Sequence, residues 1–398
     1  MADIKLDTPY YIFYADEFIK NYHNLESAFR SVYPEYHIAY SFKTNYTPAV
    51  CMIVKELGGY AEVVSDMEYT LARKIGFDKG KIIYNGPGKG MCLTECLLTG
   101  GKLHVDNNDD LSKVLTIASE NPDKEFNVGV RVNFDVDNGL LSRFGYDYTN
   151  GDFSKCVGKL NSVSNVKVNG IHFHISRARS LDAWRKRIEK LLEIVDDIFE
   201  YDIDYIDLGS GMFGELASEL REQFGDPPSY MDYASVVAGC MAKHFKERSI
   251  KPLLFTEPGT TVVARYFHLF TTVLDIKTIR EKSFALLDSS FHNVGEICGL
   301  KKVPIEIHEN TKGNKQKAYR DLDLVGYTCL EQDVIYRNLD KRIAKDDLIE
   351  IKNVGGYSIV DKPPFIHPDI PIYMIKNGEM SCVKRGQTFD DIFAPYIF

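Results

Sequence analysis

The chain lacks several features that would fix its class at once. It has no close C-x-x-C pair: its eight cysteines, at 51, 92, 96, 156, 240, 298, 329 and 382, are scattered, which argues against a zinc ribbon and predicts no metal site. It has no long basic run, and its net charge is −9. Both weigh against nucleic acid or an anionic membrane surface as a partner. No apolar stretch is long enough to span a bilayer. Met1 to Thr8 is polar and charged, without a signal-peptide core. A reducing cytoplasm with free thiols is the simplest reading. There is no internal repeat and no low-complexity tract. What is present is 398 residues, 44% hydrophobic and 26% charged, with room for a sizeable core and two domains.

The first two thirds alternate strand and helix patterns. Apolar runs at His37 to Lys43, Tyr60 to Ser65, Lys81 to Gly86, Lys102 to Asn107, Val128 to Asn133, Val168 to His174, Tyr205 to Ser210 and Leu253 to Pro258 predict eight strands. Ser65-Asp66-Met67-Glu68 has capping-box spacing. Trp184, Ile188, Leu191, Val195 and Ile198 recur at helical spacing, with Arg and Lys expected on the other face. Eight such units favour an α/β fold of the (β/α)8 TIM type, with an open doubly wound sheet as the alternative. After about Ala264 the pattern turns β-rich, and Asn377-Gly378 between apolar segments signals a hairpin. The expected domains are a barrel over 19–263 and a β-rich domain built from 1–18 and 264–398, with Tyr10 to Tyr14 available to join it as a strand.

In a parallel barrel the C-terminal strand tips face one another around the catalytic rim. The tips carry Lys43, Glu62, Asn85, Asp106, Arg131, His172, His174, Gly209 to Gly211 and Glu257. A desolvated lysine there can lose its proton and act as a nucleophile, although most lysines are solvated surface groups. His172 and His174 share one strand face, which suits a metal pair or a ring stacked on a ligand. Gly209-Ser210-Gly211 would let backbone amides approach a phosphate. Glu68 reads first as the cap partner of Ser65. Glu257 precedes Pro258-Gly259, a turn that would fix its direction.

Taken in order, these residues resemble the fold-type III pyridoxal-phosphate-dependent decarboxylases of the ornithine, diaminopimelate and arginine group, with their alanine-racemase-like barrel. Ser41-Phe42-Lys43 matches the Schiff-base lysine motif. Arg131 and Ser142-Arg143-Phe144-Gly145 match two further signatures. His174 matches the histidine that stacks on the cofactor ring, Asp207 to Gly211 the phosphate loop, and Glu257-Pro258-Gly259 the glutamate facing the pyridine nitrogen. Cys329 matches the catalytic cysteine, and Tyr357 a tyrosine that binds the phosphate.

The resemblance implies pyridoxal 5'-phosphate held on Lys43, a small-molecule amino-acid substrate, and carbon dioxide release with the ring as electron sink. It implies Cys329 as proton donor, reaching into a second subunit's barrel, and hence a homodimer with shared sites. The acid at Glu257 favours decarboxylation over the racemase alternative. Asp288, Glu331 and Asp333 are candidates to hold a distal amine of the substrate.

Three departures bear on binding. Thr260 stands where the family carries arginine, and Ser176-Arg177 where it carries Gly-Ser, so Arg177 or Arg179 is expected to restore the lost charge. Gly295-Glu296-Ile297 and Cys329-Leu330-Glu331 replace motifs of diaminopimelate enzymes and weigh against diaminopimelate as substrate. A barrel metallohydrolase using His172, His174 and Glu257, and a catalytically silent regulatory homologue, are the remaining readings.

Overall fold

Short apolar runs closed by polar turns set the frame. The computed structural model describes residues 6–398 apart from 138, 312, 314 and 315. After β1 (Tyr10–Tyr14) and α1 (Ala15–Arg30) come β2 (Tyr36–Ser41), α2 (Pro48–Glu56), β3 (Tyr60–Val63), α3 (Asp66–Ile75), β4 (Ile82–Tyr84) and α4 (Cys92–Leu98). Next are β5 (Lys102–Val105), α5 (Asn108–Glu120), β6 (Phe126–Asn133), a two-residue β7 (Tyr146–Asp147), α6 (Asp152–Asn161), β8 (Val166–His172) and α7 (Leu181–Ile198). The run ends with β9 (Tyr205–Asp207), α8 (Ser218–Phe224), α9 (Tyr230–His244) and β10 (Leu253–Thr256). Strands β2, β3, β4, β5, β6, β8, β9 and β10 pair in that order, all parallel, and β10 pairs back to β2. The sheet is closed, and every connection around it carries a helix: the (β/α)8 TIM-type barrel expected from the sequence is the fold.

Local chemistry explains the boundaries. Ser65 caps α3 by accepting from Glu68 N at 3.2 Å, and Gly76 ends that helix in the left-handed region. Ser180 caps α7 in the same way. The N-terminal end of the barrel is filled by Ala39, Tyr60, Ile83, Tyr205 and Phe255. The rings of Tyr60 and Tyr205 stand edge-on to Phe255 at 4.8 and 5.9 Å. That plug leaves only the C-terminal mouth for chemistry.

The chain divides into two compact units. One holds Tyr22–Gly214 and Pro227–Thr261; the other holds residues up to Asn21, Glu215–Asp226 and Val262–Phe398. The second unit is strand-rich: β11 (Phe267–Ile279), β12 (Lys282–Leu287), β13 (Ile305–His308), β14 (Lys317–Ala318), β15 (Leu322–Val325), β16 (Val334–Leu339), β17 (Arg342–Ile343), β18 (Leu348–Ile351), β19 (Ile372–Lys376) and β20 (Glu379–Lys384). Its main sheet runs β16-β15-β12-β11-β1-β19-β20, so the N-terminal β1 is a central strand of this unit. Phe13 stacks on Phe267 at 4.7 Å and Tyr10 on Phe270 at 5.1 Å. The β19–β20 turn has positive φ at both Asn377 (54°) and Gly378 (76°), the geometry that Asn-Gly hairpins select.

Candidate active site

Polar side chains climb the barrel axis from the aromatic plug to the mouth. Tyr205 stacks on His104 (5.5 Å), and His104 on His172 (4.7 Å, 18° between rings). His172 Nε2 lies 3.4 Å from Glu257 Oε1. Asn85, just beyond β4, donates to Glu257 Oε1 and, at 3.2 Å, to Glu62 Oε1. Glu62 Oε2 then receives Ser41 Oγ at 2.6 Å and Lys43 Nζ at 2.7 Å. Lys43 sits in the single turn Phe42–Thr44 that follows β2, so strand geometry delivers its amine to the rim. Burial pushes the Glu62 carboxyl up, and the Lys43 ammonium pulls it back down. The Pro258-Gly259 turn packs against the Lys43 turn: a Cβ at Gly259 would overlap Thr44 Oγ1.

Below the mouth lie His104, His172, Asp207 and Glu257, all buried, with one ligand atom of each within 4.8 Å of the others. This set differs from the His172, His174 and Glu257 expected of a metallohydrolase. It also fits a metal poorly. The two imidazoles lie face to face, so no point sits in both ring planes, where nitrogen lone pairs point. Asp207 and Glu257 instead meet side chain to side chain, and Asp207 Oδ2 finds no donor among the described residues. A proton on the Asp207 carboxyl would let it donate to Glu257. Burial and the Glu257 charge push the Asp207 carboxyl well up, while burial and nearby cations keep both histidines neutral.

The next tips carry His174 and the glycine turn. His174 lies two residues beyond the end of β8, and its Nδ1 accepts Ser210 N at 3.0 Å. Gly209 has φ 61°, and a Cβ there would press into the His174 ring, so both the turn and the stack require glycine. Asp207 Oδ1 accepts Gly209 N at 2.9 Å. Arg131 donates to His174 O at 3.1 Å and lies 3.4 Å from Asp106, so its guanidinium braces the histidine. Gly211 closes the turn at φ 111°. Arg177 is exposed, with φ 61°, and Arg179 stacks over Phe213 at 5.3 Å. Glu68 accepts Val64 N at 2.7 Å, and burial raises its carboxyl to about 7. Its carboxylate serves the start of α3.

The remaining predicted residues lie in the strand-rich unit. Cys329 is an exposed thiol on the loop after β15. Asp333 is buried, and its carboxylate accepts Phe291 N (2.8 Å), Thr328 N (3.1 Å) and Thr328 Oγ1 (2.6 Å). Asp288 accepts Thr8 Oγ1 (2.5 Å), Thr271 Oγ1 (2.6 Å) and Thr272 N (2.9 Å). Glu331 is exposed. Tyr357 has φ 58°, a rare backbone state for an aromatic residue and of a kind that clusters at ligand sites.

Sequence reasoning missed His104, which sits on β5 below the rim, stacked between Tyr205 and His172. It also placed the cations of α7 on the solvent face. Arg187 instead is fully buried, three residues after Trp184 and four before Leu191, on the apolar stripe itself. That i, i+3, i+7 spacing was the available signal.

The Lys43 amine, the buried acid Glu257 and the glycine turn suit an aldehyde, a protonated ring nitrogen and a phosphate, in that order. A family model described as "Pyridoxal-dependent decarboxylase, pyridoxal binding domain" matches residues 16–264. A diaminopimelate decarboxylase of Aquifex aeolicus is 25% identical over 408 residues, spanning 98% of this chain and 91% of that one. The crystal structure of a diaminopimelate decarboxylase from M. jannaschii superposes with a TM-score of 0.84 at 22% identity, covering 99% of this chain and 93% of that one. A Paramecium bursaria Chlorella virus arginine decarboxylase gives a TM-score of 0.76 at 18% identity, covering 93% and 96%. The expectation that diaminopimelate is disfavoured as a substrate is overturned by these relatives. Likeness along nearly the whole chain to enzymes of that name outweighs two short departures, both in segments outside the barrel whose register a motif does not fix.

Proposed function

The chain belongs to the pyridoxal-dependent decarboxylase family, and on that footing we propose how its own residues divide the work. When bound, pyridoxal phosphate supplies an electron sink conjugated to the substrate's α-carbon. Lys43 Nζ is the amine that would hold the cofactor's aldehyde, and Glu62 fixes where that amine points. Glu257, braced by Asn85, would keep the ring nitrogen protonated. The His174 ring, held by Ser210 N and Arg131, would lie against the cofactor face. Gly209, Ser210, Gly211, Gly259 and Tyr357 are the groups assigned to the rest of the cofactor. Cys329 would return a proton to the α-carbon after carbon dioxide leaves.

The substrate is proposed to be an amino acid with a second polar terminus, diaminopimelate first among those to try. The whole-chain similarity to diaminopimelate decarboxylases supports that choice. The observation that carries the reading is the 2.7 Å pair of Lys43 with the buried Glu62 at the mouth of a closed parallel barrel. Protein loaded with pyridoxal phosphate should release carbon dioxide from diaminopimelate, ornithine, lysine or arginine. Release from none of them, or loss of optical activity without carbon dioxide, would refute it.

The working form is proposed to be a homodimer in which each Cys329 serves the partner's Lys43; its exposure on a single chain supports this. Mixing Lys43→Ala with Cys329→Ala subunits should regain up to about a quarter of wild-type activity per site. No recovery would remove the shared site. No described helix is long and apolar enough to cross a membrane, and the described cysteines are all free, which fits a reducing cytoplasm.

A further inference from the structure

Arg187 is a buried cation beside the glycine turn whose charge the site described so far does not use. It is wholly buried on α7, against Trp184 (4.1 Å to the ring). Its Nη1 donates to Leu208 O and to Ser210 O, both at 3.0 Å, and its Nη2 reaches Ala178 O at 3.4 Å. Among the described residues its guanidinium meets carbonyls and rings rather than a carboxylate, and its Nε has no acceptor. Carbonyl dipoles take up Nη1 and Nη2 but leave a net positive charge in a low-dielectric wall. Such a charge is strongly disfavoured unless something of opposite sign arrives.

What arrives is constrained by the place. Leu208 and Ser210 flank Gly209, and Gly211 lies next to the guanidinium: a Cβ built on it would be 4.0 Å from Arg187 Nη2. Because a trans peptide points its N–H opposite its C=O, the bond to Ser210 O turns the Gly211 N–H away from Arg187. Thr260, where the family carries arginine, is exposed and uncharged, and so is the backbone-strained Arg177 exposed. We propose that Arg187 is the buried countercharge and positioning residue for the phosphate taken by the 208–211 turn. It fixes the turn from behind and balances the dianion through the backbone without touching it. This takes over the task that the sequence alone assigned to Arg177 or Arg179, and it rests on the pyridoxal-phosphate reading above.

Four proteins test it: wild type, Arg187→Met, Arg187→Lys and Arg177→Ala. Each is measured without cofactor for thermal unfolding with and without inorganic phosphate, and for affinity toward pyridoxal phosphate and unphosphorylated pyridoxal. Arg187→Met should unfold somewhat lower than wild type when ligand-free, since it leaves the Leu208, Ser210 and Ala178 carbonyls without that donor, so each phosphate effect is read against the same protein's ligand-free midpoint. It should lose most of the stabilisation that phosphate gives wild type. It should bind pyridoxal phosphate at least about tenfold more weakly and pyridoxal equally well. Arg187→Lys should keep most of the phosphate effect, and Arg177→Ala all of it. Equal losses for both cofactor forms would make Arg187 a packing residue and overturn the proposal. So would an undiminished phosphate effect in Arg187→Met, or a loss confined to Arg177→Ala. If Arg187→Met does not fold, Arg187→Gln, which keeps donors without charge, takes its place with the same expected and contrary results. Failure of wild type to bind pyridoxal at Lys43 while phosphate still stabilises it through Arg187 would sink the cofactor reading alone.

Discussion

Carboxylates in the barrel and carboxylates in the strand-rich unit are held under opposite conditions. Asp333 collects two backbone N–H groups and a hydroxyl, and Asp288 one backbone N–H and two hydroxyls. Three donors from neighbouring segments converge on each. In the barrel, Glu257 has the Asn85 amide, a misaligned His172 at 3.4 Å and the Asp207 carboxyl, and Asp207 Oδ2 has no donor among the described residues. An acid with few donors is poised to meet another group. An acid ringed by three donors is a staple. The contrast separates chemistry from architecture more sharply than burial does, because Asp333 and Glu257 are each 3% exposed.

Replacing Glu257 by Gln probes the contrast hardest. Turnover should fall roughly 10²–10⁴-fold, with little change in the unfolding temperature of the cofactor-free protein. A large drop in stability with turnover retained would make Glu257 a staple too. Asp333→Ala should do the reverse. Leaving Phe291 N and Thr328 N without an acceptor costs about 1–3 kcal/mol, which lowers the unfolding midpoint by several degrees, and the Cys329 loop should become easier to cut with protease. An unchanged melting curve would break the comparison from the other side.

The Asp207 proton is read from pH. Asp207 is raised in the folded state, so its contribution to stability is complete below the ordinary carboxylate range and is lost as pH rises through the raised value. Glu68, raised by burial to about 7, follows the same sign. The histidines held neutral act with the opposite sign up to their ordinary range, so the decline these two acids impose is read as the wild-type-minus-variant difference from pH 5 to pH 8. Asp207→Asn and Glu68→Gln should each lose less stability than wild type over that range, and an Asp207→Asn profile parallel to wild type would deny the Asp207 proton. The smallest expected effect is Ser65→Ala, about 1 kcal/mol from the lost α3 cap, with turnover untouched.

Much of this was legible in the sequence because barrels obey a strict grammar. Lys43, His174 and Glu257 fall just past strand ends and Arg131 two residues before one, and the period of 2 along each strand told which residues look inward. The Asn377-Gly378 hairpin and the Ser65 cap were local and equally readable. What was not legible depends on partners distant in sequence. Spacing does not say that Asp288 and Asp333 take donors from Thr8, Thr271, Phe291 and Thr328. Nor does it say that Asp207 leans on Glu257, fifty residues away. Arg187 was hidden for another reason: a cation among apolar residues reads as the solvent face until its hydrogen-bond acceptors, three carbonyls from two other loops, are seen.

The account turns on which amine takes the cofactor. Protein loaded with pyridoxal phosphate, reduced with borohydride and digested, should yield a single pyridoxyl-tagged peptide with the tag on Lys43, and Lys43→Ala should yield none. A tag on any other lysine, or no tag on the wild-type chain, would contradict it.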